Sequence, residues 1–506
     1  MKIFIGLLFS GSVFFCNAQK KTDPVLFAGF IKSENLQKHL FQIAGPAFEG
    51  RETATPGQQK AAGYIEDYFK SLGLRPGNHD RYQYYYPVYK DSFISSNIQI
   101  NGKEYELDKD YQNGNISKSS SFAYGLSNVI FAGYGLSDSV RDDYKDLNVN
   151  GKIVMILGGF PKGYVQAQVS KKGFNSFAKL EAALKHGAAA ILSIQDDFPR
   201  HKPLTEPGIM YRNYFRKEIP PAFFYISENI ARSIMGTDYD LVKDGFPKPK
   251  SYPVDIFVSL QKTTRLLKSS DVLGFLEGTD LKDQLLVISA HYDHLGKKDS
   301  VIYFGADDDG SGTVSLLELA AAFSKAKAAG KGPRRSILFL ANSGEEKGLW
   351  GSEFYTDHPL YPLDKTTADL NIDMIGRKDP NRKQGDSNNY IYIVGDDKLS
   401  TDLHSISVSM NKKYTGLELD YKFNDPKDPL RIYYRSDHYN FARKGVPIIF
   451  YFDGIHSDYH LPTDTPDKIN YDLMEKRARL IFYTAWEMAN RNDMLKRDLP
   501  AVNQER

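Results

Sequence analysis

The sequence predicts an α/β protein: a central, mostly parallel sheet with helices on both faces, plus a small inserted β-rich domain. Three observations lead there. From residue 272 onward, short apolar runs alternate with stretches of helical period. Most of those runs are largely apolar without alternation, as strands covered on both faces are. The periodicity and the turn residues also change near 122 and again near 250, which sets off a separate module.

The chain of 506 residues opens with Met1-Lys2, an apolar run over 3–15, and Cys16-Asn17-Ala18-Gln19. A basic start, a short apolar core and small residues before Gln19 read as a signal peptide over 1–18, cleaved after Ala18. The run is too short for a stable membrane span. The expected product is exported, periplasmic or extracellular. Lipid attachment at Cys16 is the alternative, disfavoured by the bulky Phe14-Phe15 pair ahead of it. Cys16 is the sole cysteine, so its removal excludes disulfides, thiolate-bound zinc and a cysteine nucleophile together.

Residues 36–73 read as two helices around a turn, with Ala61, Ile65, Tyr68, Phe69 and Leu72 on one apolar face and Gly73 as the stop. Alternating Tyr, Val, Ile and Phe over 82–107 predict strands, and the polar stretch 113–121 a linker. Residues 19–121 thus form the amino-terminal part of the larger domain. The module over 122–250 is expected to hold strands at 128–132 and 152–157, a helix at 177–186 running into a buried strand, and a further segment opening at 219. No titratable cluster in it reads as catalytic. The main part of the larger domain, 251–506, carries strands at 285–290, 336–341, 369–374, 390–394 and 446–452, and helices at 311–328, 399–413 and 470–488.

With 65 Lys and Arg against 63 Asp and Glu, no basic field points to nucleic acid and no acidic tail to a charge-driven partner. The function has to be read from a site. Ligands in such a sheet gather beyond the carboxyl ends of the strands, and there the polar residues collect. His291 and Asp293 follow the 285–290 run and, spaced by two, can project to one side of an extended chain. A glycine-rich acidic turn, Gly305 to Gly312, opens a helix, and a carboxylate in it can bridge two cations. Glu345 and Glu346 follow the strand ending at Ala341; one can ligate a metal while its neighbour acts as general base on a water. Asp373 lies at an apolar strand end, where a lone carboxylate is costly unless paired or metal-bound. His460 supplies a second imidazole. The set contains nitrogen and oxygen donors only, which suits zinc.

The strings HYDHLG at His291, GADDDGSG at Gly305, GEEKGLWGS at Gly344, NIDMIGR at Asn371, SDHYNF and DYHLPTDT resemble, in order, the two-zinc exopeptidase family of bacterial leucyl aminopeptidase, aminopeptidase Y and glutamate carboxypeptidase II. FEGRETATPG over 48–57 resembles that family's amino-terminal region, and the 122–250 module resembles its inserted protease-associated domain. The resemblance implies two Zn2+ ions per chain: His291 and Asp373 on one, Glu346 and His460 on the other, and Asp308 bridging. It implies Glu345 as general base, drawing the proton from a water shared by the metals, and Asp293 as the carboxylate behind His291. It implies peptide substrates cleaved at the amino terminus. Tyr434 and His438 are candidates for steadying the oxyanion or lining the pocket, with ordinary packing as the competing role.

Two alternatives stand beside this reading. A carboxypeptidase or dipeptidase of the same fold would need basic residues near the site, and Arg377 and Arg435 are close to the motifs. A non-catalytic binding protein is the other. A serine hydrolase lacks its Gly-x-Ser-x-Gly elbow here, and a thermolysin-like enzyme its His-Glu-x-x-His.

Overall fold

The computed structural model describes residues 23–114, 120–164, 175–199, 210–211, 220–243 and 248–500. The expected signal segment 1–18, with Cys16, lies outside the described residues. The chain divides into two compact units: one comprises residues through Tyr86 and from Lys268 onward, the other Pro87–Leu267. No helix among the described residues is long and apolar enough to cross a membrane.

The larger unit is built on one sheet whose strands, side by side, are Glu418–Asp420, Tyr390–Val394, Ile448–Phe452, Thr366–Ile372, Leu281–His291, Arg335–Asn342 and the carboxyl end of Lys250–Leu276. Ile448–Phe452, Thr366–Ile372, Leu281–His291 and Arg335–Asn342 run parallel, and the strands beside them at either side run antiparallel. The continuous apolar runs have a physical reason. Leu286, Ile288 and Ala290 join one core, while Leu285 and Val287 join another on the opposite face, so every position from Leu285 to His291 is buried.

The first core is covered by helices Ser33–Ile43, Pro56–Ser71, Gly312–Ala328 and Tyr471–Asn490. Gly312–Ala328 is buried around most of its circumference, as befits a central helix. Pro56–Ser71 has Pro at its first position, and the Thr55 side chain accepts a bond from the Gln58 amide, a standard start for a helix. The second core takes in residues of the short helices Trp350–Asp357 and His438–Ala442.

Within the smaller unit, Phe122–Phe131, Ile153–Leu157, Ala190–Ile194 and Ala222–Ile226 form a parallel set. Helices Asn175–Lys185, Glu228–Met235 and Asp238–Lys243 accompany it. This unit is wider than the expected 122–250. Tyr111–Asn113 pairs with Ala222–Ile226, and Lys103–Tyr105 with Gln83–Ile100; Lys250–Leu276 pairs through Leu260 with Phe122. Strands assigned from sequence to the larger domain therefore close the sheet of the smaller one, and Asn113 belongs to a strand, not a linker.

Candidate metal centre

Strand register brings the first candidates together. Leu281–His291 is flanked in parallel by Arg335–Asn342 and Thr366–Ile372, with His291 opposite Asn342 and Ser289 opposite Asn371. Two residues beyond Ser289, His291 is level with Asp373, and the turn after Asn342 delivers Glu345 and Glu346 to the same edge. That turn needs Gly344, at φ +74°, where a Cβ would lie 2.6 Å from the Tyr86 hydroxyl.

His291 Nε2 is 3.3 Å from Asp308 Oδ1, 3.7 Å from Asp373 Oδ1 and 3.9 Å from Glu345 Oε2. Its Nδ1 faces the Asp293 backbone oxygen at 3.1 Å and the Asp293 carboxylate at 3.6 Å. Donation from Nδ1 leaves a free lone pair on Nε2. His460 Nε2 is 3.0 Å from Asp308 Oδ2 and 3.2 Å from Glu346 Oε2. His291, Asp293, Asp308, Glu345, Glu346, Asp373 and His460 thus converge. Two donor groups able to hold a cation emerge, His291 with Asp308 and Asp373, and His294 with Asp308 and Glu346. Asp308 is common to both.

The sequence profile of Peptidase family M28 matches residues 271–485. Over that stretch the chain is similar to peptidase family M28. A probable leucine aminopeptidase of Arthroderma otae is 30% identical over 217 residues, covering 42% of this chain and 56% of that protein. Aminopeptidase NAALADL1 of Mus musculus is 34% identical over 144 residues, covering 28% of this chain and 18% of that one. The chain spans about half the length of the curated leucine aminopeptidases it matches. Among solved structures, the aminopeptidase from Aneurinibacillus sp. strain AM-1 superposes with TM-score 0.55 at 19% identity, covering 95% of this chain and 100% of that one. A zinc aminopeptidase from Bacillus subtilis gives 0.50 at 18%, covering 91% and 96%. These two likenesses concern the fold.

The acidic triplet Asp307-Asp308-Asp309 divides its labour through the backbone. Asp309 accepts from the amides of His291, Gly312 and Met374, and Asp307 from that of Gly376. Asp464 accepts from the amides of Asp307 and Asp308. Asp307 Oδ2 lies 3.2 Å from His456 Nε2, away from the centre, and Asp308 is left to face His291 and His460. Arg51, fully buried, donates to the carbonyls of Tyr292, Ile43, Phe304 and Gly305 and so ties the FEGRETATPG segment to both ligand-bearing loops. Thr53 Oγ1 donates to Asp293 Oδ2 at 2.6 Å, and the Glu345 amide donates to Asp293 Oδ1 at 3.2 Å.

The charges are unbalanced. Burial opposes the positive charge on His460, but Asp308 and Glu346 outweigh it and raise the imidazole to about 10. His291 is also raised well above its ordinary value; burial disfavours its charge, and Asp373, Asp293 and Asp308 overcome that. Burial pushes Glu345 well above the carboxylate range, against the pull of His291 and with the help of Glu346 and Asp373. Asp308 is held well below that range, its burial outweighed by His291, His460 and His294. A pocket so rich in carboxylates draws protons onto its imidazoles, and the same field favours divalent cations.

Beside Asp308, Glu345 and Asp373 lies a pocket with an apolar wall of Met374, Ile432, Phe450, Phe452 and Ile455, with Tyr459 and Arg435 also lining it. Tyr459 stacks on His460, with ring centroids 3.9 Å apart, and accepts from Arg435 Nη2. The two aromatic candidates from the sequence are elsewhere. His438 stacks on Phe450, faces the Tyr433 carbonyl at 2.7 Å, and is lowered by burial to about 3. Tyr434 packs on Tyr433 and Tyr439. Sequence reasoning passed over Tyr459, adjacent to a chosen histidine, and His294, three residues after another. Adjacency and the i, i+3 spacing were the available signals. Arg51 and Thr53 carried none beyond the motif that contains them.

Proposed function

We infer that this chain is a two-zinc exopeptidase that releases amino-terminal residues from peptides. The carrying observation is the pair of donor groups that share Asp308 next to Glu345. The donors suit zinc: nitrogen and oxygen only, with His291 Nε2, Asp308 Oδ2 and Glu346 Oε1 buried and without hydrogen-bond partners. His291, Asp308 and Asp373 would hold one ion, and His460, Glu346 and Asp308 the other. Bound there, the ions supply a Lewis acid for the peptide carbonyl and make a nearby water more acidic.

The protein groups do the rest. Glu345 takes the proton of the attacking water and returns it to the leaving amine. Asp293 keeps Nδ1 of His291 occupied and so keeps Nε2 directed at the centre. The Tyr459 hydroxyl, at the pocket wall, steadies the developing oxyanion. The carboxylates favour a cationic α-amine, and the wall of Ile432, Phe450 and Phe452 favours an apolar first side chain. Of the two arginines that the carboxypeptidase alternative needs, Arg377 is paired with Asp458 at 2.9 Å and lies 3.9 Å from Asp464, whereas Arg435 lines the pocket, so the choice falls to the substrates compared below. The Pro87–Leu267 unit, which interrupts the peptidase unit in the chain, is read as its protease-associated insert.

The test compares leucine 4-nitroanilide with peptides ending in glutamate, alongside zinc content. Expected are two zinc ions per chain, turnover of the anilide, and a fall of about 10²–10⁴-fold in Glu345→Gln with zinc retained. Cleavage confined to the glutamate peptides overturns the aminopeptidase reading. Unchanged turnover in the variant overturns the role of Glu345.

A further inference from the structure

His294 is the one imidazole at this centre without an assigned task. It is completely buried, and neither ring nitrogen has a hydrogen-bond partner. Its Nδ1 lies 2.7 Å from Glu346 Oε1 and 3.9 Å from Asp308 Oδ2. Glu346 Oε1 and Asp308 Oδ2 are themselves without hydrogen-bond partners. The short separation therefore lacks the angles of a hydrogen bond, as expected where both atoms turn toward a common third body. The other Glu346 oxygen faces His460, which also approaches Asp308 Oδ2. The two rings are 5.9 Å apart and inclined at 70°, edge to face around the same carboxylates.

The surroundings hold this ring in place. Gly305, at φ +55°, packs its α-carbon on the imidazole, and a Cβ there would come within 2.4 Å of His294 Cγ. The acidic turn therefore begins on a residue that leaves room for the ring. The His294 backbone follows Arg51, to whose carbonyl its amide donates, and bridges Glu52.

We propose that His294 is a direct ligand, through Nδ1, of the cation held by Glu346, His460 and Asp308. This rests on the two-cation reading above. It makes the two positions unequal: one has four protein donors, two imidazoles and two carboxylates, while the other has His291, Asp373 and the shared Asp308. A four-donor position is closed in the manner of retained zinc, and a three-donor position keeps room for water and substrate. The His294 position fills first, and the ion beside His291 exchanges more readily.

The experiment titrates the metal-free full-length protein with zinc by calorimetry, for wild type and for His294→Gln. Wild type is expected to show two resolved steps. The variant should lose about 10–100-fold in the first step and keep the second within about threefold. The cobalt-loaded protein should lose one nitrogen ligand in its visible spectrum. X-ray absorption on wild type carrying one equivalent of zinc keeps the proposal testable should the variant fail to fold. Two imidazoles per zinc support it and one overturns it. An unaltered first step with an unaltered cobalt spectrum also overturns it, leaving His294 as a neighbour of Glu346 only. Absence of any zinc binding by wild type would instead strike the two-cation reading.

Discussion

Thr53→Val isolates one link between the amino-terminal segment and the metal centre. Thr53 is fully buried, and its hydroxyl donates at 2.6 Å to Asp293, 240 residues away in sequence. Asp293 in turn lies 3.6 Å from His291 Nδ1 and accepts from the Glu345 amide. Valine keeps the shape and removes the donor. A hydrogen bond to a charged acceptor contributes about 1.5–3 kcal/mol, which is roughly 10–150-fold if expressed wholly at the site. Groups that orient metal ligands from behind show losses of about 10–100-fold, in the same range. The expected result is a fall of that size in zinc affinity or in kcat on leucine 4-nitroanilide, with KM within about threefold and with Thr53→Ser close to wild type. Wild-type kcat and zinc affinity in Thr53→Val would refute the link, as would a Thr53→Ser variant that falls equally far.

Arg51→Met leaves the four carbonyls of Tyr292, Ile43, Phe304 and Gly305 without this donor. At about 1–3 kcal/mol for each buried group left unpaired, the peptidase unit should melt at least several degrees lower by calorimetry; an unchanged melt counts against the tie. Chelation should also lower the melting temperature, because an ion at about 1,000 times its Kd adds about 4 kcal/mol to the native state. Added zinc should restore it, and a melt indifferent to chelator contradicts the centre. Away from the site, burial raises Asp396, beside His404, from 3.8 to about 6. A group raised on folding contributes stability that is complete below the unfolded value and is lost as pH climbs through the folded one. Asp396→Asn should therefore gain stability relative to wild type from pH 4 to pH 7 in urea titrations. A difference constant over that range would refute the assignment.

Much of this protein was legible from its residues alone. Tyr390–Val394 coincides with the expected strand, and the helices at 312–328 and 471–490 lie within a residue or two of expectation. A strand covered on both faces or a long buried helix writes its environment into a local run of apolar side chains. The chemical inventory was equally local, because HYDHLG, GADDDGSG and GEEKGLWGS each list their donors in order. The module boundary was not legible, since Tyr111–Asn113 finds its partner more than a hundred residues away. Nor could the spacing of residues say which of Asp307, Asp308 and Asp309 faces His291 and His460; the family resemblance alone pointed to Asp308. Three identical side chains in a turn are told apart only by what receives them. The amides of Gly376, His291 and Met374 claim the outer two, and Asp308 is left to the centre. Likewise, His294 looks like a bystander in HYDHLG until Glu346 and His460 close around it. Donor types are a property of residues, whereas donor directions depend on backbone amides contributed by distant strands, and those exist only once the sheet is assembled.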